Sequence, residues 1–143
     1  MKTLITSIIV AAILFFNSTI AKAGITVPNN DSADHAVDWY INALINGRVE
    51  NLDKLFDDSF TQSVTNKGKI IPFTKVQITD FLKANKNIQQ QDCDVSYRLV
   101  EENANFSIAK VEMKYQKFTK VEYVTLCHDK QGWKISQILT VYP

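Results

Sequence analysis

From Asp92 to the end of the chain, apolar side chains recur at every second residue, and no other feature restricts the fold as strongly. Four alternating runs cover Cys93–Glu101, Asn105–Gln116, Lys120–His128 and Trp133–Tyr142. Glu102-Asn103-Ala104, Phe118-Thr119 and Asp129-Lys130-Gln131-Gly132 separate them, connections short enough for antiparallel hairpins. A meander of this kind carries one apolar face and needs something to cover it.

The first half supplies that cover. Asn29-Asn30-Asp31-Ser32 offers several N-caps, and Ala36, Val37, Tyr40, Ile41 and Leu44 then recur at helical spacing. Asn46-Gly47 stops the helix, because glycine accepts the left-handed conformation at that point. A short second helix with Leu52, Leu55 and Phe56 as its apolar face is expected to end at Asp57-Asp58. Ser59 to Thr65 reads as a strand, Asn66-Lys67-Gly68-Lys69 as a tight turn, and Ile70-Ile71 as the return before Pro72. Thr74-Lys75-Val76-Gln77 is a capping box, and the helix it opens is expected to run to about Asn87 with Val76, Ile78, Phe81 and Leu82 inward. With no repeat and no linker, the pattern is one α+β domain.

Closing each hairpin at its turn pairs Glu101 with Asn105, Lys117 with Lys120 and His128 with Trp133. One face then collects Cys93, Val95, Tyr97, Leu99, Ser107, Ala109, Val111 and Met113 from the first two runs. The last two add Val124, Leu126, His128, Trp133, Ile135, Gln137 and Leu139. This face should meet the helices, and as registered it is expected to hold no Asp or Glu. The opposite face mixes Asp94, Arg98, Lys110, Glu112, Lys114, Lys134 and Ser136 with Phe106, Ile108, Val121, Tyr123 and Ile138. A homodimer contact explains that mixture, and so does a loosely covered sheet. Cys93 falls inward and Cys127 outward, two strands apart at roughly 10 Å, beyond the reach of a disulfide. Two unpaired thiols are expected.

Met1 to Ala23 places one lysine before an apolar run of about a dozen residues, and ends in Ala21-Lys22-Ala23, the small-residue pattern of a signal peptidase site. The run is short of the roughly 20 residues a membrane span needs. Residues 1–23 are therefore expected to be a signal peptide, leaving residues 24–143 as a single secreted or periplasmic domain with no stable membrane anchor. Losing Lys2 and Lys22 turns the formal net charge of +1 into a balance one unit negative, which speaks against a nucleic-acid partner.

The helix pair, small hairpin, third helix and long meander resemble the nuclear transport factor 2-like superfamily. The resemblance rests on Tyr40-Ile41, Gly47, Leu55-Phe56-Asp57-Asp58, the run Val121-Glu122-Tyr123-Val124-Thr125-Leu126, and Gly132-Trp133-Lys134-Ile135. It is nearest to the lumazine-binding branch, with the SnoaL-like proteins beside it. The resemblance implies a cone-shaped, cystatin-like fold in which a curved antiparallel sheet wraps the N-terminal helices around a pocket. Ketosteroid isomerases share the superfamily, and Tyr40 matches their oxyanion-binding tyrosine. Carrying their spacing forward puts Val64 where the carboxylate base belongs, so no catalytic residue is assigned.

Tyr40 is read as a core or pocket-wall residue. Gln137 is polar among inward apolar positions and either bonds a helix end or faces a ligand. His128, Tyr97 and Trp133 are expected to gather near one end of the inward face with Trp39, as an aromatic lid or a stacking site for a flat ligand. Met113 completes the set of pocket candidates. His35 and Asp38, one helical turn apart, are read as part of a charged outer face, and no metal or cofactor is assigned. The leading expectation is an exported binder of a small aromatic or apolar molecule. The alternatives are a SnoaL-like enzyme (isomerase, cyclase or hydrolase) and an interaction module that uses the outer sheet face.

Overall fold

The computed structural model describes residues 29–90 and 92–143; the expected signal peptide and its cleavage point lie outside them. Helix α1 spans Ala33–Asn46. Ser32 caps it by accepting from the His35 amide, and Gly47 ends it at φ 64°. Both ends are satisfied by residues that the sequence marks for the task. Its apolar stripe, including Val37, Tyr40 and Ile41, is buried.

Helix α2 is a single turn, Leu52–Leu55. Strand β1 starts immediately after it and covers Phe56–Asn66. Asp57 and Asp58 therefore lie in β1 and do not end the helix as expected; Asp57 bonds Ser59 and Asp58 pairs with Lys75 at 2.9 Å. Strand β2, Lys69–Thr74, pairs antiparallel with β1 through the two-residue turn Lys67-Gly68, both at positive φ. Pro72 is tolerated because β2 is the edge of the sheet.

Helix α3 covers Lys75–Ala84, three residues shorter than expected, and Thr74 and Gln77 form the capping box. Its buried residues are Thr79 and Leu82, with Ile78 packed against the core. Val76 and Phe81, expected inward, are 66% and 55% exposed. The stripe that this helix buries is narrow.

Strands β3 (Cys93–Glu102), β4 (Phe106–Tyr115), β5 (Thr119–Asp129) and β6 (Gly132–Val141) form the meander. The six-stranded sheet has the order β2-β1-β6-β5-β4-β3. It is mixed, not wholly antiparallel: β1 runs parallel to β6. The chain has to cross over through α3 and the β3–β5 meander before β6 can return beside β1, so no local turn signal could announce this pairing.

The observed registers of β3–β4 and β4–β5 differ from the simple turn closures by even numbers of residues over most of their length, which preserves every face. In β5–β6 the expected pairing of His128 with Trp133 holds as far as Leu126 with Ile135. Ser136 then bulges, so that Thr125 faces Gln137. One extra residue flips the remainder of β6. Gln137 and Leu139 point outward and are exposed, while Ile138 and Thr140 are buried inward, which corrects the expectation for Gln137, Leu139 and Ile138. The expected absence of acid from the inner face is overturned as well. Glu122 shares the row of Val124 and Leu126 and is fully buried.

Cys93 and Cys127 are both free thiols. They lie on β3 and β5 with β4 between them. Cys127 is exposed, and partial burial raises the thiol pKa of Cys93 above its ordinary value. Thiol titration of the folded protein is expected to show one fast group, Cys127, and one slow group, Cys93. A chain with no titratable thiol even after denaturation would contradict this arrangement.

Gly47 is pinned by more than its dihedral angle. A β-carbon there would approach the Asn87 amide nitrogen to 2.5 Å and the Asn85 carbonyl to 2.6 Å, both backbone atoms of the turn after α3. Gly68, at φ 74°, has nothing within 4 Å of the same position. Gly47→Ala should therefore cost more than about 2 kcal/mol in urea unfolding, and Gly68→Ala only about 1 kcal/mol, the conformational penalty alone.

Candidate functional site

Between the helices and the inner sheet face lies an open cavity of about 310 Å³, within the usual range for small-ligand sites. Helix α1 contributes Tyr40 and Leu44, one turn apart. Strand β1 contributes Gln62 and Val64, alternate residues on one face, and β2 adds Phe73. Helix α3 forms the opposite wall with Gln77, Ile78, Phe81 and Leu82. Strand β5 closes the floor with Lys120 and Glu122. The wall is mostly apolar, with Gln77 engaged in the capping box of α3, and Tyr40, Gln62, Lys120 and Glu122 form the polar part of the lining.

That polar end is a connected network. The Tyr40 hydroxyl donates to Glu122 Oε2 at 2.7 Å, and Thr140 Oγ1 donates to Glu122 Oε1 at 3.2 Å. Lys120 Nζ stands 3.3 Å from Oε1. Gln62 Nε2 donates to Thr140 Oγ1 at 2.7 Å. A carboxylate removed from water costs several kcal/mol unless charge and hydrogen bonds replace its solvation. Three donors on two oxygens do so here. Burial, the neighbouring carboxylate charge and the hydrogen bond to it together hold the Tyr40 hydroxyl pKa well above the ordinary tyrosine value. Tyr40 is thus a neutral donor fixed on Glu122.

The chemical capacity of the cavity follows from what remains uncommitted. Gln62 is buried, and no partner for its carbonyl oxygen appears among the described residues. Lys120 has ammonium hydrogens beyond the one aimed at Glu122. A ligand seated here would meet an amide acceptor, a cationic donor and an apolar wall bearing the rings of Phe73 and Phe81. Val64, at the position where an isomerase base would stand, brings only methyl groups.

Of the pocket candidates drawn from the sequence, Tyr40 alone lines this cavity. Met113 is fully buried in the core, across from Val95 and Lys120. Trp39 is 4% exposed, and its indole N–H meets no acceptor among the described residues. His128 and Trp133 do come together, with ring centroids 5.2 Å apart, but His128 is exposed at the end of β5. Tyr97 is not with them. It pairs with Val111, which in turn faces Glu122, six residues along β5 from His128 and therefore about 20 Å away. Its hydroxyl donates to Asp34 Oδ1 at 3.3 Å. Gln137 sits on the outer face beside Tyr123 and Leu139.

His35 pairs with Asp31 on the exposed first turn of α1. That contact raises the imidazole pKa, and the Asp38 carboxyl is raised by partial burial. Among the described residues no group of three or more His, Cys, Asp or Glu side chains could hold a metal ion.

Glu122, Lys120 and Gln62 were missed from the sequence. The signal for Glu122 was present, since it stands two residues before Val124 in the same alternation. An acid inside an apolar row fits the period even when its chemistry argues against it.

Comparison with known proteins places these observations. A family model described as "Putative lumazine-binding" matches residues 29–138. No curated protein sequence matches the chain. Among solved structures, a nuclear transport factor 2-like protein of unknown function from Silicibacter pomeroyi superposes with a TM-score of 0.61 at 12% identity, over 77% of this chain and 92% of that one. A second, from Rhodospirillum rubrum and described as of unknown function in nutrient uptake, gives 0.61 at 14% identity, over 79% and 99%. A cystatin-like fold protein from Burkholderia xenovorans gives 0.58 at 14%, over 76% and 87%. At such identities the likeness is one of fold. With the helices-then-curved-sheet architecture, the α1–β5 pocket and a model match across most of its length, the chain belongs to the putative lumazine-binding family of the nuclear transport factor 2-like superfamily.

Proposed function

We propose that the chain is an exported domain that binds a small, largely apolar or aromatic molecule in the cavity between α1, α3 and the sheet. The observation that carries this reading is the cavity itself: open, about 310 Å³, apolar along its walls and polar at one end. A flat heteroaromatic such as the lumazine of the family's description would set its ring faces against Phe73 and Phe81 and its polar edge against Gln62 and Lys120. Residues 1–23 would direct export and be removed, leaving the domain secreted or periplasmic. Among the described residues no helix is long and apolar enough to cross a membrane.

An enzyme of SnoaL-like type is the second reading, and Glu122 is the observation that favours it, because it puts a proton acceptor at the cavity floor. Two features favour binding over catalysis. Both carboxylate oxygens of Glu122 are already engaged by donors of the protein, and Tyr40 spends its one hydrogen on Glu122 instead of presenting it to the cavity. The outer sheet face, where Ile70, Ile108, Tyr123 and Leu139 surround a depression, is the surface we assign to a second copy of the chain.

Native mass spectrometry of protein taken gently from its own compartment tests the binding reading. An added mass that is lost on denaturation is expected. Val64→Trp, which fills the cavity from β1, should abolish the added mass while leaving the fold intact by circular dichroism. Retention of the same added mass by the Val64→Trp protein would place the ligand elsewhere, and a bare polypeptide mass for the natural sequence would remove the support for binding.

A further inference from the structure

We propose that the segment from Lys67 to Ile88, which frames the mouth of the cavity, docks on an anionic lipid surface. The segment carries Lys67, Lys69, Lys75, Lys83 and Lys86 against the single acid Asp80, while the rest of the chain has an acidic excess. Lys75 is consumed internally by Asp58 and the Phe56 carbonyl. The other four lysines are exposed. The same segment concentrates exposed apolar side chains: Ile71 at 41%, Val76 at 66%, Phe81 at 55% and Ile88 at 53%.

Ile71, Phe81 and Ile88 sit at or beside the cavity lining, and Val76 precedes the lining residue Gln77 on α3. Ile71 shares its face of β2 with Phe73 and pairs across the hairpin with Val64, both cavity walls. Phe81 lines the cavity itself. Ile88 lies against Gly47, one turn beyond Leu44 of the cavity wall. Apolar residues interspersed with lysines are what a surface needs in order to bury side chains at the headgroup boundary while its ammonium groups meet lipid phosphates. The exposed apolar groups would gain nothing on a phosphodiester backbone, and two copies of the patch would bring like charges together. Charge complementarity therefore selects an anionic bilayer. Contact would be peripheral, and it would turn the cavity mouth toward the membrane, so that a ligand partitioned there reaches the pocket without crossing water.

Co-sedimentation with vesicles of phosphatidylcholine alone, or of phosphatidylcholine with phosphatidylglycerol, tests this on protein recovered after export. Binding is expected on the anionic vesicles only, and it should be reversed by about 0.5 M salt. Lys83→Gln with Lys86→Gln should weaken it about thirtyfold, at roughly five- to sixfold per lysine, and Lys67→Gln with Lys69→Gln similarly. Phe81→Ser should weaken binding at low salt without removing its dependence on phosphatidylglycerol. Lys117→Gln with Lys130→Gln, the same loss of charge elsewhere on the surface, should leave it unchanged. Equal binding to neutral vesicles, equal loss from the Lys117/Lys130 pair, or no binding to either vesicle would overturn the proposal. So would a patch whose substitution changes only the oligomeric state or the retention of nucleic acid.

Discussion

The buried carboxylate of Glu122 is the constraint around which the pocket end of this fold is arranged. It stands on β5 and is reached by Tyr40 from α1, Thr140 from β6 and Lys120 from its own strand, while Gln62 of β1 joins through Thr140. Apolar packing would hold the helix on the sheet without specifying its azimuth. A hydrogen bond of 2.7 Å to a fixed carboxylate specifies it, because a rotated α1 would leave a buried charge short of a donor, at about 1–3 kcal/mol or more. The Ser136 bulge belongs to the same arrangement. Without that extra residue Thr140 would face outward and Glu122 would lose one of its donors.

The network also explains why the cavity is open. Tyr40 is tied to Glu122 directly and Gln62 through Thr140, and the polar end cannot collapse onto α3 without breaking those bonds. Helix α3 buries little beyond Thr79 and Leu82 and is fastened at its start by the capping box, with Gly47 meeting the turn that follows its end. A wall with a narrow buried stripe, set against a rigid polar floor, leaves a gap between them. That gap is the binding site we assign.

Features governed by short-range chemistry were legible in the sequence. Ser32 and Gly47 bound α1, Thr74 and Gln77 open α3, and Lys67-Gly68 closes the β1–β2 hairpin, each within a few residues of its partner. The two faces of β3 and β4 were legible because register errors by even numbers leave alternation intact. What failed depended on distant or single-residue events. The bulge at Ser136 reversed Gln137, Ile138 and Leu139 with no glycine or proline to announce it. The parallel β1–β6 pair joins segments separated by most of the domain. Val76 and Phe81 fit a helical period, but the stripe that α3 buries is confined to Thr79 and Leu82. In the cavity lining, the place of Tyr40 on α1 was legible from helical spacing, whereas Glu122 stood inside a scaffold motif whose alternation hid it.

A double-mutant cycle between Tyr40→Phe and Glu122→Gln, read by urea unfolding, tests most directly the claim that this pair fixes the helix on the sheet. Each single variant should destabilise the protein, and the double variant should cost less than the sum, leaving a coupling of about 1–3 kcal/mol. Additive losses, with coupling indistinguishable from zero, would show that packing alone positions α1 and that the carboxylate network does not organise the pocket.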